Sequence, residues 1–315
     1  MFRNRILPEQ GSGILIGRQQ GVEVFENEIG VEASPPVNEY AQSDYNVNAI
    51  RLTDYNAEKG NPQGWCGNNH IHHNRITVIG RKFPDAHPNY RPMTYAVFMS
   101  VGGESNFIYD NEITVDQRDP PNDERHGAYA FYAGGSNQGG VYYRNRITSN
   151  VPPVWIGNMY GPGQNVTLYG NTFRKPAGAA DYVPVILGWY KFPTKNVQFF
   201  SNQFEGLEFG VAINDYATNY TSGYDVGWTL TIKTAPGAEV VIVDQQGHVV
   251  FRQNADAQGR AAARLLQYRA KGAGQVVESG RRVVKIEKTD AGAYTVRANG
   301  KQRSVTLAAD VEVAL

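Results

Sequence analysis

The sequence has one cysteine, Cys66, in 315 residues, and no net charge, because 30 Lys and Arg residues balance 30 Asp and Glu residues. A single cysteine cannot form an internal disulfide, so it neither requires nor excludes an extracellular location. Zero net charge provides no field to attract nucleic acid or an acidic membrane surface. No apolar run approaches the roughly 18 residues of a membrane span. We therefore expect neither a nucleic-acid partner nor a membrane span.

Long apolar patterns with helical spacing are also missing, whereas Gly (34 residues) and Tyr (19 residues) are abundant. This composition favours an all-β protein with many turns. Residues 1–6 carry no apolar signal segment and already resemble the end of a repeat. We expect earlier coils of the same protein to precede them as a partner, and the length favours two domains.

What the sequence does contain is a repeated motif, an Asn followed two positions later by Ile or Phe. Its seven copies are Asn4/Ile6, Asn27/Ile29, Asn74/Ile76, Asn111/Ile113, Asn145/Ile147, Asn171/Phe173 and Asn202/Phe204. Repeats of about 20–50 residues indicate a solenoid. A second strand-like run lies between successive copies, at 13–16, 48–52, 95–99, 128–132, 154–156, 185–187 and 210–213. Each coil is therefore predicted to contain a strand, a turn, a second strand, the Asn and a very short strand.

Alignment of the copies on the Asn predicts which side chains face inward. Successive strand residues alternate between faces, so the positions two after and three before the Asn should line the interior. The position two before it should face outward as a column of rings: Phe25, His72, Tyr109, Tyr143, Tyr169 and Phe200. We expect packing for this column, with ligand binding as the alternative.

The Asn itself tolerates left-handed backbone and can hydrogen-bond to the Asn of the next coil. We therefore predict a column of Asn residues at a sharp bend that satisfies the turn amides coil after coil. The residues that follow the Asn should form a surface charge ladder of alternating sign: Arg5, Glu28, Arg75, Glu112 and Arg146.

The seven Asn motifs and their preceding strands resemble the right-handed parallel β-helix family. This pectate-lyase-like superfamily includes pectate lyases, polysaccharide epimerases, rhamnogalacturonases and phage tailspikes. The resemblance covers about residues 1–215 and implies a β-helix of about seven coils, assigned to 1–225, with a polysaccharide cleft beside the variable loops. A fold does not determine an activity.

The remaining residues, 226–315, lack the Asn motif and contain short alternating patterns separated by hairpin turns. We predict strands at 229–234, 239–244, 249–252, 261–266, 282–287, 294–298 and 304–308. Segments 236–247, 256–260 and 265–268 resemble the carboxypeptidase-regulatory-like, transthyretin-type sandwich that bacterial secreted proteins often carry. The resemblance implies an accessory β-sandwich and a secreted or cell-surface location.

The loop at 116–126 is the richest in reactive groups, with four carboxylates, two Arg and one His. Hydrolysis of a glycosidic bond uses two carboxylates, and elimination from a uronate uses a base and a group that neutralises the sugar's acid. The candidate catalytic residues are therefore Asp116, Asp123, Arg125 and His126, with Arg51 and Asp54 from the preceding coil. The alternative is a solvated polar loop.

No cofactor or metal site is predicted. Asp116, Asp119 and Asp123 offer the hard oxygen ligands that Ca²⁺ prefers, but their spacing matches no metal motif. His70 and His72 share a strand face, but the sequence shows no third ligand beside them.

Aromatic residues cluster in the later coils, and the C–H faces of sugars stack on exposed rings. The candidate substrate-binding residues are Tyr132, Trp155, Tyr160, Trp189, Tyr190 and Lys191, with interior packing as the alternative. The predicted function is an extracellular polysaccharide-active protein that cleaves a glycan by β-elimination or hydrolysis. The alternatives are a non-catalytic carbohydrate-binding or adhesion protein and a phage-tailspike-like module, so the sequence leaves open whether the chain is an enzyme.

Overall fold

A computed structural model describes residues 1–8, 11–36, 46–53, 66–87, 90, 92–99, 105–123, 126–134, 139–157, 161–278 and 281–315. Strands dominate these residues, which confirms the predicted all-β class. Successive strands pass in turn to three sheets with parallel pairing, and residues near the C-terminus add antiparallel strands. The long stacked parallel sheets are compatible with a β-helix-like fold. The described residues contain no helix that is long and apolar enough to cross a membrane.

The three sheets with parallel pairing take their strands in turn from successive repeats. The first sheet contains β1 (Arg5–Ile6), β4 (Glu28–Glu32), β7 (Arg75–Gly80), β10 (Glu112–Gln117), β13 (Arg146–Ser149), β16 (Thr172–Arg174) and β19 (Gln203–Glu205). The second contains β2 (Ser12–Gly17), β5 (Val47–Thr53), β8 (Met93–Met99), β11 (Gly127–Ala133), β14 (Val154–Ile156), β17 (Val185–Leu187) and β20 (Val211–Ile213). The third begins with β3 (Glu23–Phe25), β6 (His70–His72), β9 (Phe107–Tyr109), β12 (Val141–Tyr143), β15 (Gln164–Tyr169) and β18 (Lys195–Phe200).

The interior between these sheets is built from the two predicted apolar columns. Ile29, Ile76 and Ile113, two residues after their Asn, pair in register and are at most 1% exposed. Ile71 and Ile108, three residues before their Asn, are fully buried. Both columns therefore face inward, as the alternation of strand residues requires.

The predicted Asn column is confirmed as a continuous hydrogen-bonded ladder. Each side-chain Nδ2 donates to the Oδ1 of the Asn in the next coil, at 2.9–3.0 Å from Asn4 to Asn202. Each Oδ1 also accepts the backbone N–H of the preceding Asn, for example Asn74 N to Asn111 Oδ1 at 3.0 Å. The ladder satisfies buried turn amides that no strand partner reaches.

The Asn tolerates left-handed backbone, but it is not the residue that adopts this backbone at the turn. The residue before the Asn adopts it instead, with φ of 54° at Glu26, 55° at His73, 54° at Asp110 and 53° at Arg144. The Asn side chain stabilises the turn from the position directly after the left-handed residue. A left-handed residue interrupts the alternation of faces, so its side chain does not follow the strand pattern.

The predicted charge ladder after the Asn is also confirmed. Arg5, Glu28, Arg75, Glu112 and Arg146 are direct neighbours in the first sheet. The ion pairs Arg5–Glu28 (3.9 Å) and Arg75–Glu112 (3.2 Å) are exposed, so each contributes at most about 1 kcal/mol. The register of Glu28 with Arg75 shows that the 47-residue separation between Asn27 and Asn74 is one coil with insertions.

The C-terminal strands continue the third sheet and add a fourth. Strand β21 (Gly223–Lys233) pairs in parallel with β18 and β28 (Val311–Ala314), and antiparallel with β24 (Arg260–Glu278), which pairs with β25 (Arg281–Asp290). The fourth sheet has the order β23 (Val249–Asn254), β22 (Glu239–Val243), β26 (Tyr294–Ala298) and β27 (Lys301–Val305). A second apolar cluster, which includes Leu230, Val240 and Val296, lies beneath these strands.

Two strand predictions in this region are corrected, and one strand is added to them. The strand predicted at 261–266 runs to residue 278, the strand predicted at 304–308 lies at 301–305, and the strand at 311–314 was not predicted. Strand β24 is longer because β21 and then β25 pair with it along its length.

Candidate functional site

The outer face of the second sheet carries a row of side chains aligned across six coils. The strand register places Leu15, Arg51, Phe98, Tyr132, Trp155 and Ile186 in successive contact. Asn48, Tyr95 and Tyr129 form a second row on the same face. The two rows include three of the predicted site residues, together with rings that the sequence analysis did not select.

Tyr95, Phe98 and Tyr129 were not predicted on this face because the alternation of strand residues is locally interrupted. Ala96 and Val97 are consecutive, yet both belong to the buried interior. The register passes from Tyr95 to Val97 without pairing Ala96. Tyr95 and Phe98, three residues apart, therefore both face outward, and Tyr129 and Tyr132 repeat this arrangement. The sequence signal is a Tyr-Ala pair followed by Val-Phe or Phe-Tyr in neighbouring coils.

These rings pack mainly against one another. Tyr95 stacks on Tyr132 with centroids 4.6 Å apart, and Tyr132 meets Trp155 edge-on at 5.4 Å. Trp155 contacts Trp189 at 5.2 Å and donates from Nε1 to the Gly188 carbonyl at 3.0 Å. Tyr132 is 7% and Trp155 6% exposed, so both rings support their neighbours and offer little free face to a sugar.

Among the residues that the structure describes, two polar groups on this face lack a hydrogen-bond partner. The Arg51 guanidinium lies 5.2 Å from the Phe98 ring centroid, and its Nε is buried without a hydrogen-bond partner. Asn48 Oδ1 is also buried without a partner. Buried polar groups normally have partners, so these two atoms distinguish β5 from the apolar strands beside it.

The exposed end of the aromatic cluster is a tight turn after β17, which we call the Tyr190 platform and define as Trp189, Tyr190, Lys191 and Tyr216. Reciprocal backbone hydrogen bonds between Trp189 and Phe192 close the turn at 3.1 and 2.7 Å. Tyr190 at its tip has a left-handed φ of 45°, which is rare and strained for a bulky residue. Tyr190 and Tyr216 are 46% and 57% exposed, with ring centroids 5.2 Å apart. Exposed Lys191 adds a cation beside them.

A fully buried carboxylate holds Tyr216 in this position. Asp215 Oδ2 accepts hydrogen bonds from Thr218 Oγ1 (2.6 Å), Thr221 N (2.7 Å) and Ser222 N (3.2 Å). These bonds fold residues 215–222 around the short 3₁₀ helix Tyr216–Thr218. The loop approaches Gly188 so closely that a Cβ there would lie 2.7–2.9 Å from Ser222 and Asp215. Asp215 is thus a positioning residue for the Tyr190 platform.

The predicted catalytic loop forms a separate cluster at the opposite edge of the second sheet, before β11. His126 is 3% exposed, and its Nδ1 lies 3.1 Å from Asp123 Oδ1. The Phe83 N–H donates to His126 Nε2 at 3.3 Å, so the network assigns the proton to Nδ1, which donates to Asp123. Lys82 Nζ lies 3.6 Å from Asp123 Oδ2. Both ring nitrogens of His126 are therefore engaged within the protein.

Tyr129 connects this cluster to the aromatic rows. Burial raises the pKa of the Tyr129 hydroxyl well above its ordinary value, a hydrogen bond with Asn122 lowers it, and the Asp123 charge raises it further. The Asn122 side chain also bonds both the N–H and the carbonyl of Ala128. The loop before β11 is thereby held against the start of the strand that carries Tyr129 and Tyr132.

Asp116 has partners of its own. Its Oδ2 lies 3.1 Å from the Arg118 guanidinium, and its Oδ1 accepts from Asn150 Nδ2 at 3.2 Å. These residues line an open groove of about 710 Å³ together with segment 176–180. Asp119, the third carboxylate considered for calcium, accepts the Lys82 N–H at 3.1 Å. In the part of the chain that the structure describes, no three His, Cys, Asp or Glu side chains are grouped to hold a metal ion.

The outward ring column of the third sheet is a regular stack. Centroids are 5.2 Å apart for Phe25–His72, 4.8 Å for His72–Tyr109, 4.7 Å for Tyr109–Tyr143 and 4.8 Å for Tyr143–Tyr169. The next residue in the column, Phe200, is buried. The rings cover one another's faces and expose only edges, so they suit packing better than sugar stacking. The Arg264 guanidinium, 3.6 Å above Tyr169, covers one end.

The candidate residues thus surround one sheet. Asp116, Asp123 and His126 precede its strands, Arg51, Tyr132 and Trp155 lie on its outer face, and Trp189, Tyr190 and Lys191 follow its strands. Asp54, Arg125 and Tyr160 lie outside the described residues. Comparison of the chain with protein-family models, curated proteins and solved structures finds no match.

Proposed function

We propose that the chain is an extracellular polysaccharide-binding protein that holds an acidic glycan at the Tyr190 platform. The observation that carries this proposal is the exposed Tyr190–Tyr216 pair beside Lys191, at the end of a packed aromatic row. Exposed rings offer faces to sugar C–H groups. The Lys191 ammonium lies 5.5 Å from the Phe192 ring centroid and is exposed, and a uronate carboxylate would give it an ionic partner.

The proposal includes a finer view of the fold. Residues 1–225 form a right-handed parallel β-helix of about seven coils, and residues 226–315 form an accessory sandwich of the transthyretin type. The rigid sheets then position the loops that contact the glycan. The binding needs no cofactor.

Preorganisation supports the choice of the platform over the other aromatic groups. The Asp215 hydrogen bonds and the packing of Trp189 on Trp155 hold both Tyr rings before any ligand arrives. A rigid site loses less conformational entropy on binding. Aromatic pairs contribute about 0.5–1.5 kcal/mol beyond their buried area. If a ring stacked on a sugar contributes as much, loss of one ring should weaken binding roughly 2- to 13-fold.

The test is a titration of purified protein with a panel of acidic and neutral polysaccharides, followed by calorimetry. We expect affinity for a uronate polymer, and a loss of that affinity on Tyr190→Ala, Tyr216→Ala and Lys191→Ala. Lys195→Ala is the matched control, because Lys195 is an exposed lysine near the end of the same turn. If the platform variants bind every polymer as tightly as the unaltered protein does, the proposal is wrong.

Cleavage of the glycan is the second candidate. Arg51 Nε, on the same row as the rings, has no hydrogen-bond partner in the part of the chain that the structure describes. This favours cleavage because a guanidinium can neutralise a uronate carboxylate. Absorbance of unsaturated products tests for elimination, and new reducing ends test for hydrolysis. An active protein should lose turnover in Arg51→Gln and Asp123→Asn, and no product from any polymer that binds would leave binding alone.

A further inference from the structure

His72 belongs to the outward ring column of the third sheet, where its orientation is fixed on both sides. Its imidazole lies between the Phe25 ring, at 5.2 Å and an interplanar angle of 4°, and the Tyr109 ring, at 4.8 Å and 14°. Because both faces of the ring are covered, the stack fixes the plane of the imidazole. The ring is partly exposed.

His73 should face away from His72 if strand alternation continued. It does not, because its φ of 55° places it in the left-handed region. The two imidazoles are nearly perpendicular, at 86°, with centroids 5.1 Å apart. Their Nδ1 atoms approach to 2.8 Å at the exposed surface.

The distance between these nitrogens determines the angle that they would form at a metal ion bound to both. Two nitrogens 2.8 Å apart, each about 2.05 Å from a metal ion, subtend about 86° at the metal. This angle matches adjacent positions of a square-planar or octahedral ion, whereas a tetrahedral ion needs a separation of about 3.3 Å. We propose that His72 and His73 form a surface site for Cu²⁺ or Ni²⁺, bound through both Nδ1 atoms, with water in the remaining positions.

Two carboxylates lie near the pair. Glu23 is on the neighbouring strand β3, which pairs with β6, and Asp110 directly follows β9. Asp110 is held by Arg144 at 2.6 and 2.8 Å, so its charge is partly balanced. Glu23 is exposed and lies beside His70 in the strand register. The pair is open to solvent, so water can complete the coordination.

The experiment titrates untagged protein with Cu²⁺ and follows binding by calorimetry and by electron paramagnetic resonance. We expect one Cu²⁺ per chain with two equatorial nitrogen ligands. His72→Phe retains a stacking ring, as Phe25 shows in the same column, and His73→Asn retains a residue that tolerates left-handed backbone. Both variants should fold normally and bind Cu²⁺ at least about tenfold more weakly.

His248→Ala is the control, because His248 is an exposed histidine whose Nδ1 contacts Asp244 at 3.2 Å. It should leave Cu²⁺ affinity unchanged. Unchanged affinity in His72→Phe and His73→Asn, or no stoichiometric uptake by the unaltered protein, would overturn the proposal. The contact would then be an N–H···N hydrogen bond only. The glycan titrations do not involve this site, so failure of one proposal is distinguishable from failure of the other.

Discussion

Replacement of Asn111 by Ala measures how much the Asn ladder contributes to stability. Asn111 is 1% exposed, and its Nδ2 donates to the carbonyls of Ile71 and Tyr109 and to Asn145 Oδ1 at 2.9–3.0 Å. Its Oδ1 accepts both the backbone N–H and the side-chain Nδ2 of Asn74, at 3.0 and 2.9 Å. The substitution therefore removes five hydrogen bonds from one buried layer.

The expected cost follows from what those partners can do afterwards. The Asn74 backbone N–H loses its acceptor in a buried position, which costs about 1–3 kcal/mol, and each remaining bond contributes about 0.5–1.5 kcal/mol before relaxation. Asn74 Nδ2 keeps two carbonyl partners, which limits the loss. We expect Asn111→Ala to lower the free energy of unfolding by about 3–5 kcal/mol.

Urea denaturation of Asn111→Ala and Asn4→Ala provides the comparison. Asn4 lies at the end of the ladder, where its Nδ2 donates only to Phe2 O and Asn27 Oδ1 in a partly exposed layer. Its removal should cost less than about 1 kcal/mol. Midpoints are compared at equal m-values, because a changed slope indicates that whole repeats unfold separately. If the free energies of unfolding of the two variants differ by less than about 1 kcal/mol, the stability contribution assigned to the ladder is wrong.

Two further perturbations have matched references in the chain. Gly188→Ala should lower the melting temperature more than Gly178→Ala does. Both glycines have φ near +80°, but the new Cβ would lie 2.7 Å from Ser222 Oγ at Gly188 and would meet open space at Gly178. Equal losses of thermal stability in the two variants would contradict this prediction. The Arg144 guanidinium holds the pKa of Asp110 below its usual 3.8. The Asp110 carboxylate therefore stabilises the folded state above pH 3.8, and this stabilisation is lost as the pH falls through the lowered pKa. Asp110→Asn should therefore lower the free energy of unfolding by up to about 1 kcal/mol at pH 7. In thermal melts recorded at a series of pH values, the loss should vanish at the lowest pH. A loss of stability that does not depend on pH would contradict the role of the ion pair.

The parallel strands could be predicted because their signals are local and repeat in every coil. Inward residues such as Ile76 and Ile108 obey the period of two, and each Asn marks the same turn. The ends of β24 could not be predicted, since its extension to residue 278 depends on pairing with β25 rather than on its own pattern. Strand length there is set by a partner that is distant in sequence.

The candidate site was predicted in position more than in detail. Asp116 and Asp123 lie in one loop, but Asp116 bonds Asn150 and Asp123 bonds His126, and side-chain directions in a loop have no periodic signal. Tyr95 and Tyr129 were missed because two consecutive inward residues shift the alternation. Tyr216 was missed because the buried Asp215 bonds that present it join residues inside an irregular segment.

The left-handed residue before each Asn also explains why the His pair lies where it does. The titratable members of this column are Arg3, Glu26, His73, Asp110 and Arg144, and uncharged Gly170 and Ser201 complete it. Arg3 pairs with Glu26 at 2.7 Å, and Arg144 pairs with Asp110. His73 therefore lies in the column between two carboxylates, Glu26 and Asp110, that already have arginine partners. Its closest polar contact is therefore the neighbouring His72, and a cation bound between the two imidazoles would complete the alternation of charge that the rest of the column maintains.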